Sequence, residues 1–194
     1  MSWIPELKIG LWNAWIFMVL LLVPTTILPM LIVKEKMEKR MEGEPSWSEL
    51  TRTAKIVFVI THMLVMPLAL IYSIFLPLKL DTVWFFTGFP ICLLALVMNV
   101  LFTISFITAP VEKPITNGIF AISRNPGYLS YFLMCVGIGI ACASWIFLLF
   151  AVTWIFAWHF GVPGEEHNLI KKYGDSYREY MSRTPRWLGI PKSN

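Results

Sequence analysis

The sequence predicts an all-α integral membrane protein with about five transmembrane helices. The last two are expected to form a helical hairpin, followed by C-terminal interfacial helices. Three observations carry this expectation. Hydrophobic residues make up 57% of the 194 residues and charged residues only 14%, against about 25% charged in a soluble domain. The mean hydropathy is +0.66. The charge that is present lies outside several apolar runs, most near the roughly 20 residues that a helical span requires.

The runs follow in order at about residues 12–33, 56–76, 83–107, 128–143 and 144–162. The last two touch without a clear linker. Gly137, Gly139, Ala141 and Ala143 are small enough for close helix approach or a tight bend, expected near Cys142 to Ser144. Pro24, Pro29 and Pro67 are expected to kink the first two spans, each removing a backbone hydrogen bond. The first run is long, interrupted by proline and followed by no small-residue cleavage site, so a retained span is expected rather than a cleavable signal peptide. The whole chain, 1–194, is expected to form one membrane domain, with three spans in 1–107 and a cofactor-binding loop, the hairpin and a tail in 108–194.

Basic residues set the expected orientation. Lys34, Lys36, Lys39, Arg40, Arg52 and Lys55 lie between the first two runs, Lys113 and Arg124 between the third and fourth, and Lys171, Lys172, Arg178, Arg183, Arg186 and Lys192 in the tail. Only Lys8 and Lys79 fall on the other side. The positive-inside rule places the tail in the cytoplasm and the N-terminus outside, which agrees with an odd number of spans. The net charge of +4 suits loops facing anionic headgroups of the lipid bilayer, and no basic stripe points to nucleic acid. Cys92, Cys135 and Cys142 all lie in apolar runs without paired spacing, so buried thiols are expected. No metal is expected: there is no HExxH, and three adjacent residues cannot all point to one ion. His62, Asn99 and His159 lie within spans, where interhelical hydrogen bonds are the expected role.

The connections differ in character. Residues 34–55 mix both signs. Their first part is expected to extend the first helix through i,i+4 pairs, Gly43-Glu44-Pro45-Ser46 to break it, and Ser46 to cap a new helix with Glu49. That loop reads as ordinary connecting structure without chemistry. Residues 108–127 hold Pro110, Pro114, Asn117-Gly118 and Pro126, and form a longer loop than a simple connection needs. Asn125-Pro126 fits a helix start, with Asn as N-cap and Pro at the first helical position. After Gly164, residues Leu169, Ile170, Tyr173, Tyr177, Tyr180 and Met181 can share an apolar face, with Gly174 separating two short helices.

Two polar clusters abut these runs: Ser123-Arg124-Asn125-Pro126-Gly127-Tyr128 and Gly164-Glu165-Glu166-His167. Each has a bland explanation. The first could be a helix start with Arg on headgroups and Tyr in the aromatic belt, the second a solvated acidic helix N-terminus. A carboxylate at the bilayer midplane costs about 2.5–3.5 kcal/mol, so the pair belongs at the surface or in a polar pocket. The functional alternative is a cofactor site. Helix-start N–H groups with Arg124 would bind an anionic group, and Tyr128 would pack on a ring or donate a hydrogen bond. A carboxylate would hold an ammonium or ribose hydroxyls, and His167 could carry a proton.

In order along the chain, Asn117-Gly118-Ile119-Phe120, Arg124-Asn125-Pro126-Gly127-Tyr128, Glu165-Glu166, Tyr173-Gly174-Asp175-Ser176-Tyr177-Arg178-Glu179-Tyr180, Pro185 and Pro191 resemble the signature of isoprenylcysteine carboxyl methyltransferases. The wider group includes membrane phospholipid methyltransferases. The family pattern reads G-x-[YF], R-H-P-x-Y, E-E and Y-G-x-x-Y-x-x-Y with a trailing proline. The match covers roughly residues 111–191, and the first spans match only in kind. The resemblance implies S-adenosylmethionine-dependent methyl transfer to a lipophilic acceptor, a prenylcysteine or a lipid, at the cytoplasmic face. Carried over by position, it nominates Glu112, Lys113, Pro114, Ile115, Phe120, Asn125, Pro126, Gly127, Tyr128 and Glu165 for the cofactor, with Arg124, Glu166 and His167 as candidates for catalysis. Asn125 stands where the family usually has His; it can hydrogen-bond but cannot carry a proton. Two rival readings are an NADPH-dependent membrane reductase of the sterol type and a non-enzymatic scaffold or small transporter. No charged residue deep in the first three runs favours transport.

Overall fold

A computed structural model describes residues 6–42, 47 and 49–190. The expected break at Gly43-Glu44-Pro45-Ser46, the Ser46 cap and Pro191 lie outside the described residues. Among those described, the structure is helical and contains no strand beyond an isolated bridge between Asn13 and Pro77. The protein is an all-α integral membrane protein. Helices Arg52–Phe75, Val83–Thr108 and Trp145–Tyr173 are long and apolar enough to cross a bilayer, and Trp15–Thr25 and Pro126–Ala141 are shorter apolar helices.

The first apolar segment combines α1 (Trp15–Leu22), a π-helical turn (Val23–Ile27) and α2 (Leu28–Ile32). Helix α3 (Lys34–Met41) follows a break at Val33, with Lys34 3.9 Å from Glu38 as an i,i+4 pair. The second span runs through α4 (Arg52–Phe58), a second π-helical turn (Val59–Val65) and α5 (Met66–Phe75). The prolines explain the π turns. A proline ring crowds the carbonyl four residues back, and for Pro29 and Pro67 those carbonyls, at Thr25 and Met63, lie within the widened turns. Pro24 lies inside the first turn. Thr51 caps α4 through a 3.2 Å bond from the Ala54 N–H.

The third span is α6 (Val83–Thr108), and the hairpin is α7 (Pro126–Ala141) with α8 (Trp145–Tyr173). The hairpin bends where expected, with Ala143 at φ 52° and the Ser144 N–H donating to the Gly139 carbonyl at 2.7 Å. Helices α6 and α7 meet backbone to backbone. A Cβ added at Gly88 would stand 2.3 Å from the Ala141 nitrogen and 2.5 Å from the Gly137 carbonyl, so only glycine fits there. The core between the helices is built from Met18, Leu21, Cys92, Met134, Ile138, Phe147 and Trp154. The opposite faces carry exposed Phe86, Val97, Val152 and Phe156, a lipid-facing pattern. All three cysteines are buried and free, as expected.

Two boundaries differ from the sequence reading: the first helix breaks at Val33 before α3 instead of extending through it, and the end of the last run lies further on. The last span does not stop at Val162. Helix α8 continues through Pro163 and Gly164 to Tyr173, so Glu165, Glu166 and His167 sit inside a continuous helix and not at the N-terminus of a new one. The proline at this position costs one hydrogen bond but does not break the helix. The tail therefore contains one short helix, α9 (Asp175–Arg183), turned back at Gly174 with φ 61°. Nor do the polar residues inside spans all behave as expected. His62 Nδ1 pairs at 2.9 Å with Thr61 of its own helix, and the Asn99 Oδ1 has no partner among the described residues.

Candidate cofactor site

The site is assembled at one end of the bundle, where α3, the loop 109–125, the end of α8 and α9 come together. The loop is tied down from the tail side. The Tyr173 hydroxyl donates to the Val111 carbonyl at 3.2 Å, and the Tyr180 hydroxyl to the Phe120 carbonyl at 2.7 Å. Beyond α9 the chain runs back along the loop, with the Arg124 N–H on the Pro185 carbonyl at 3.1 Å and the Gly189 N–H on the Ile122 carbonyl at 3.2 Å. These backbone bonds fix the segment leading into α7.

Pro126 occupies the first helical position of α7, but Asn125 does not cap the helix through its side chain. Its Nδ2 instead donates to the Arg186 carbonyl at 2.9 Å, joining the helix start to the tail. One turn into α7, the Tyr128 hydroxyl donates to Glu165 Oε1 at 2.6 Å. The Tyr128 ring stacks on Trp158 at 3.7 Å, and its carbonyl accepts from the Trp154 indole at 3.1 Å. The two polar clusters, separated by 37 residues between Tyr128 and Glu165, thus meet directly.

The neighbouring carboxylate faces elsewhere. Glu166 is buried, with Arg186 donating to it at 3.1 Å from Nε and 2.6 Å from Nη2. Arg124 Nη1 lies 3.0 Å from Glu166 Oε1, with its side chain only 9% exposed. That contact is ionic and too poorly aligned to be a hydrogen bond, so Arg124 Nε and Nη1 keep N–H groups without an acceptor. The bonds to Glu166 strengthen the protonated form of Arg186. Beside this cluster, burial and then the Glu166 charge push the Tyr177 phenol up to about 12, and burial raises Tyr180 as well.

Two cavities flank Glu165. One, of about 620 Å³, is lined by Pro114, Ile115 and Phe120, by Arg124 through Tyr128, and by Glu165. Phe102, Phe106, Tyr173, Tyr177 and Arg40 complete its wall. The other, of about 820 Å³, lies between Thr51–Phe58 and the second half of α8, and Trp158, Gly161, His167 and Lys171 line it. Phe58 and Glu165 border both. Of the nominated cofactor residues, Pro114, Ile115, Phe120, Asn125, Pro126, Gly127, Tyr128 and Glu165 therefore share one cavity, together with Arg124. Glu112 and Lys113 are exposed and do not line it. Glu166 is packed behind it, and His167 is exposed and faces the second cavity. No group of three or more His, Cys, Asp or Glu residues suited to a metal occurs among the described residues.

Sequence reasoning missed Arg40, Trp158 and Arg186. For Arg186 a signal existed. A glutamate at a position that helical geometry buries needs a cation, and the tail supplies few near a fixed turn. Arg40 had no such signal, because its loop reads as a solvated connection.

Residues 95–176 match the family model described as phospholipid methyltransferase. The chain is 34% identical over 81 residues to the protein-S-isoprenylcysteine O-methyltransferase of Schizosaccharomyces pombe, a match covering 40% of this chain and 32% of that protein. It is 33% identical over 87 residues to protein-S-isoprenylcysteine O-methyltransferase B of Arabidopsis thaliana, covering 43% of this chain and 42% of that protein. The chain thus spans about a third and about two fifths of these relatives. Residues 95–176 include the start of α7, the polar part of α8 and the loop between α6 and α7, which together form most of the first cavity. The residues that meet on this cavity thus fall largely in the segment that matches the phospholipid methyltransferase model and resembles the two isoprenylcysteine O-methyltransferases.

Proposed function

We propose that the protein is an S-adenosylmethionine-dependent membrane methyltransferase acting on a lipophilic substrate, most like a protein-S-isoprenylcysteine carboxyl O-methyltransferase. The observation that carries this reading is the 2.6 Å bond between Tyr128 and Glu165, which joins both polar motifs at the boundary of two cavities.

The residues of the smaller cavity fit the cofactor. Its about 620 Å³ lies within the roughly 300–1,000 Å³ of small-molecule sites. Glu165 offers a carboxylate to a cationic group. Arg124, nearly buried and with unpaired N–H groups, suits a carboxylate. Phe102, Phe106, Phe120, Pro114 and Ile115 supply apolar and aromatic surface for a ring. When bound, the cofactor supplies a methyl group activated by its positive sulfonium. Glu165 favours positive charge on that side of the cavity, and the Tyr128 hydroxyl fixes which way its carboxylate points. Glu166 acts through Arg124, holding the guanidinium in place against the cavity wall. The aromatic wall keeps water out and helps align two reactants, the main demand of a displacement.

The larger cavity is the place for the acceptor. It adjoins the first at Phe58 and Glu165, its wall is apolar at Ala54, Val57 and Trp158, and His167, Lys171 and Lys172 stand at its polar edge. A molecule with an apolar chain and an anionic head matches that division. A carboxylate acceptor is already ionised at neutral pH, so Asn125 in place of a histidine removes no required base. The basic residues of α3, the loop 109–125 and the tail gather at this same end, which supports a cytoplasmic site and an external N-terminus. The test is incubation of the purified protein in vesicles with radiolabelled methyl donor and either farnesyl-cysteine or phospholipid. Label recovered as a base-labile ester of the cysteine derivative supports the reading. Label on a phospholipid amine moves the acceptor class, and no transfer to either overturns the activity.

A further inference from the structure

Helix α3, which lies outside the family-matched segment, contributes a side chain to the cofactor cavity. Arg40 reaches back to the end of α6, where its Nη2 donates to the Ala109 carbonyl at 3.1 Å and the Pro110 carbonyl at 3.2 Å. Its guanidinium carbon lies 5.0 Å from the centre of the Phe106 ring. Both hydrogen bonds use one nitrogen, and the other guanidinium nitrogens have no protein acceptor among the described residues. Lys36 makes a neighbouring tether to the Ile107 carbonyl, and Lys172 of α8 donates to the Arg40 and Glu42 carbonyls. The guanidinium is thereby held as a flat, cationic panel of the wall, beside Phe106, Pro114, Ile115 and Tyr173.

We propose that Arg40 is a further cofactor-binding residue that receives the nucleoside end, its planar group stacking on the base or donating to it. The inference rests on the cofactor reading above. The charges of the cavity assign the ends. Arg124 is the buried cation with unpaired N–H groups, and it lies beside Glu165 and Tyr128 in the region of the helix start. Carboxylate and cations of the amino-acid end are accommodated there. The neutral nucleoside is left to the Arg40 end, where the wall is aromatic and apolar. A guanidinium attracts π-systems through its face, and its rigid fork keeps donors for ring nitrogens or ribose hydroxyls.

The experiment measures binding by calorimetry on the full chain in detergent, using S-adenosylhomocysteine and the nucleoside fragment methylthioadenosine. Arg40→Met is expected to weaken both ligands by a similar factor, about tenfold, because the lost contact is with the part they share. Lys36→Met, which removes a tether without touching the cavity, is expected to leave both affinities unchanged. Equal losses in the two variants would overturn the proposal, since α3 docking alone would then explain them; unchanged affinity in Arg40→Met would overturn it as well. If Arg40→Met does not fold, Arg40→Lys is read instead. It keeps a cation but no plane, and retention of full affinity counts against the stacking role. Failure of the unaltered protein to bind either ligand refutes the cofactor reading itself.

Discussion

Glu166 is where the structure makes its sharpest demand. The carboxylate is buried and accepts two hydrogen bonds from Arg186 while facing Arg124 at 3.0 Å. Glu166→Ala removes the carboxylate that faces both guanidinium groups. Arg124 is 9% exposed and already has two nitrogens without an acceptor, so it cannot recover solvation without moving. Breaking a buried pair by deleting one partner costs about 3–5 kcal/mol. Arg186 is 35% exposed and recovers part of its hydration, so the expected loss lies near the lower end, about 3 kcal/mol. The assay is reversible unfolding in mixed micelles, with a double-mutant cycle against Arg186→Met. A coupling of about 1.5–3 kcal/mol is expected for charged hydrogen bonds. The double variant should also raise the protease sensitivity of residues 184–190, because the tail loses its bond to α8 and keeps its bonds to Ile122, Arg124 and Asn125. A Glu166→Ala protein as stable as the parent, with additive effects in the cycle, would refute the reasoning.

Other expectations follow from single contacts. Tyr128→Phe deletes the 2.6 Å bond that orients Glu165 and should weaken S-adenosylhomocysteine binding by about tenfold, measured by calorimetry, since a hydrogen bond to a charged group is worth about 1.5–3 kcal/mol. Unchanged affinity would separate Glu165 from the site. Gly88→Leu should prevent folding, because even a Cβ would stand 2.3 Å from the Ala141 backbone; a monodisperse protein with native melting behaviour would contradict the α6–α7 approach. Tyr177 has a folded pKa raised to about 12 from 10.0, so the folded state holds its proton where the unfolded state has lost it. The associated stability is fully present below about pH 10 and is lost as pH rises towards 12. Alkaline unfolding followed by tyrosinate absorbance should show that late, cooperative step, and a titration near pH 10 in the folded protein would contradict the burial.

The sequence expectations succeeded where a local property decided the outcome. The positions of the apolar helices followed from the length and polarity of the apolar runs, and the hairpin bend from small residues at 137–143. A departure from regular α-helix near Pro29 and Pro67 was legible from the prolines, but its π-helical form was not, because it depends on how the carbonyls four residues back are accommodated. The extent of α8 was misjudged because Pro163-Gly164 reads as a breaker in water. Next to hydrocarbon, leaving the helix would strand further backbone groups, so the helix continues. The meeting of Tyr128 with Glu165 was expected only through the family resemblance. The choice of Glu165 over Glu166 for the cavity came only from the resemblance; helical spacing alone does not make it, since adjacent positions differ by about 100° and Glu166 is turned away toward Arg186, some 20 residues on. The loop 34–55 was read as free of chemistry, yet α3 places Arg40 in the cavity wall. Its anchors are backbone carbonyls at Ala109 and Pro110, which leave no mark in the sequence.

The most direct test of the account is equilibrium binding of S-adenosylhomocysteine to the purified full chain, repeated with Glu165→Gln and in competition with NADPH. The account predicts saturable binding at one site, weakened by the Glu165 substitution and indifferent to NADPH. Displacement by NADPH, or binding that Glu165→Gln leaves untouched, would contradict the claim that the cavity bounded by Tyr128 and Glu165 holds the methyl donor.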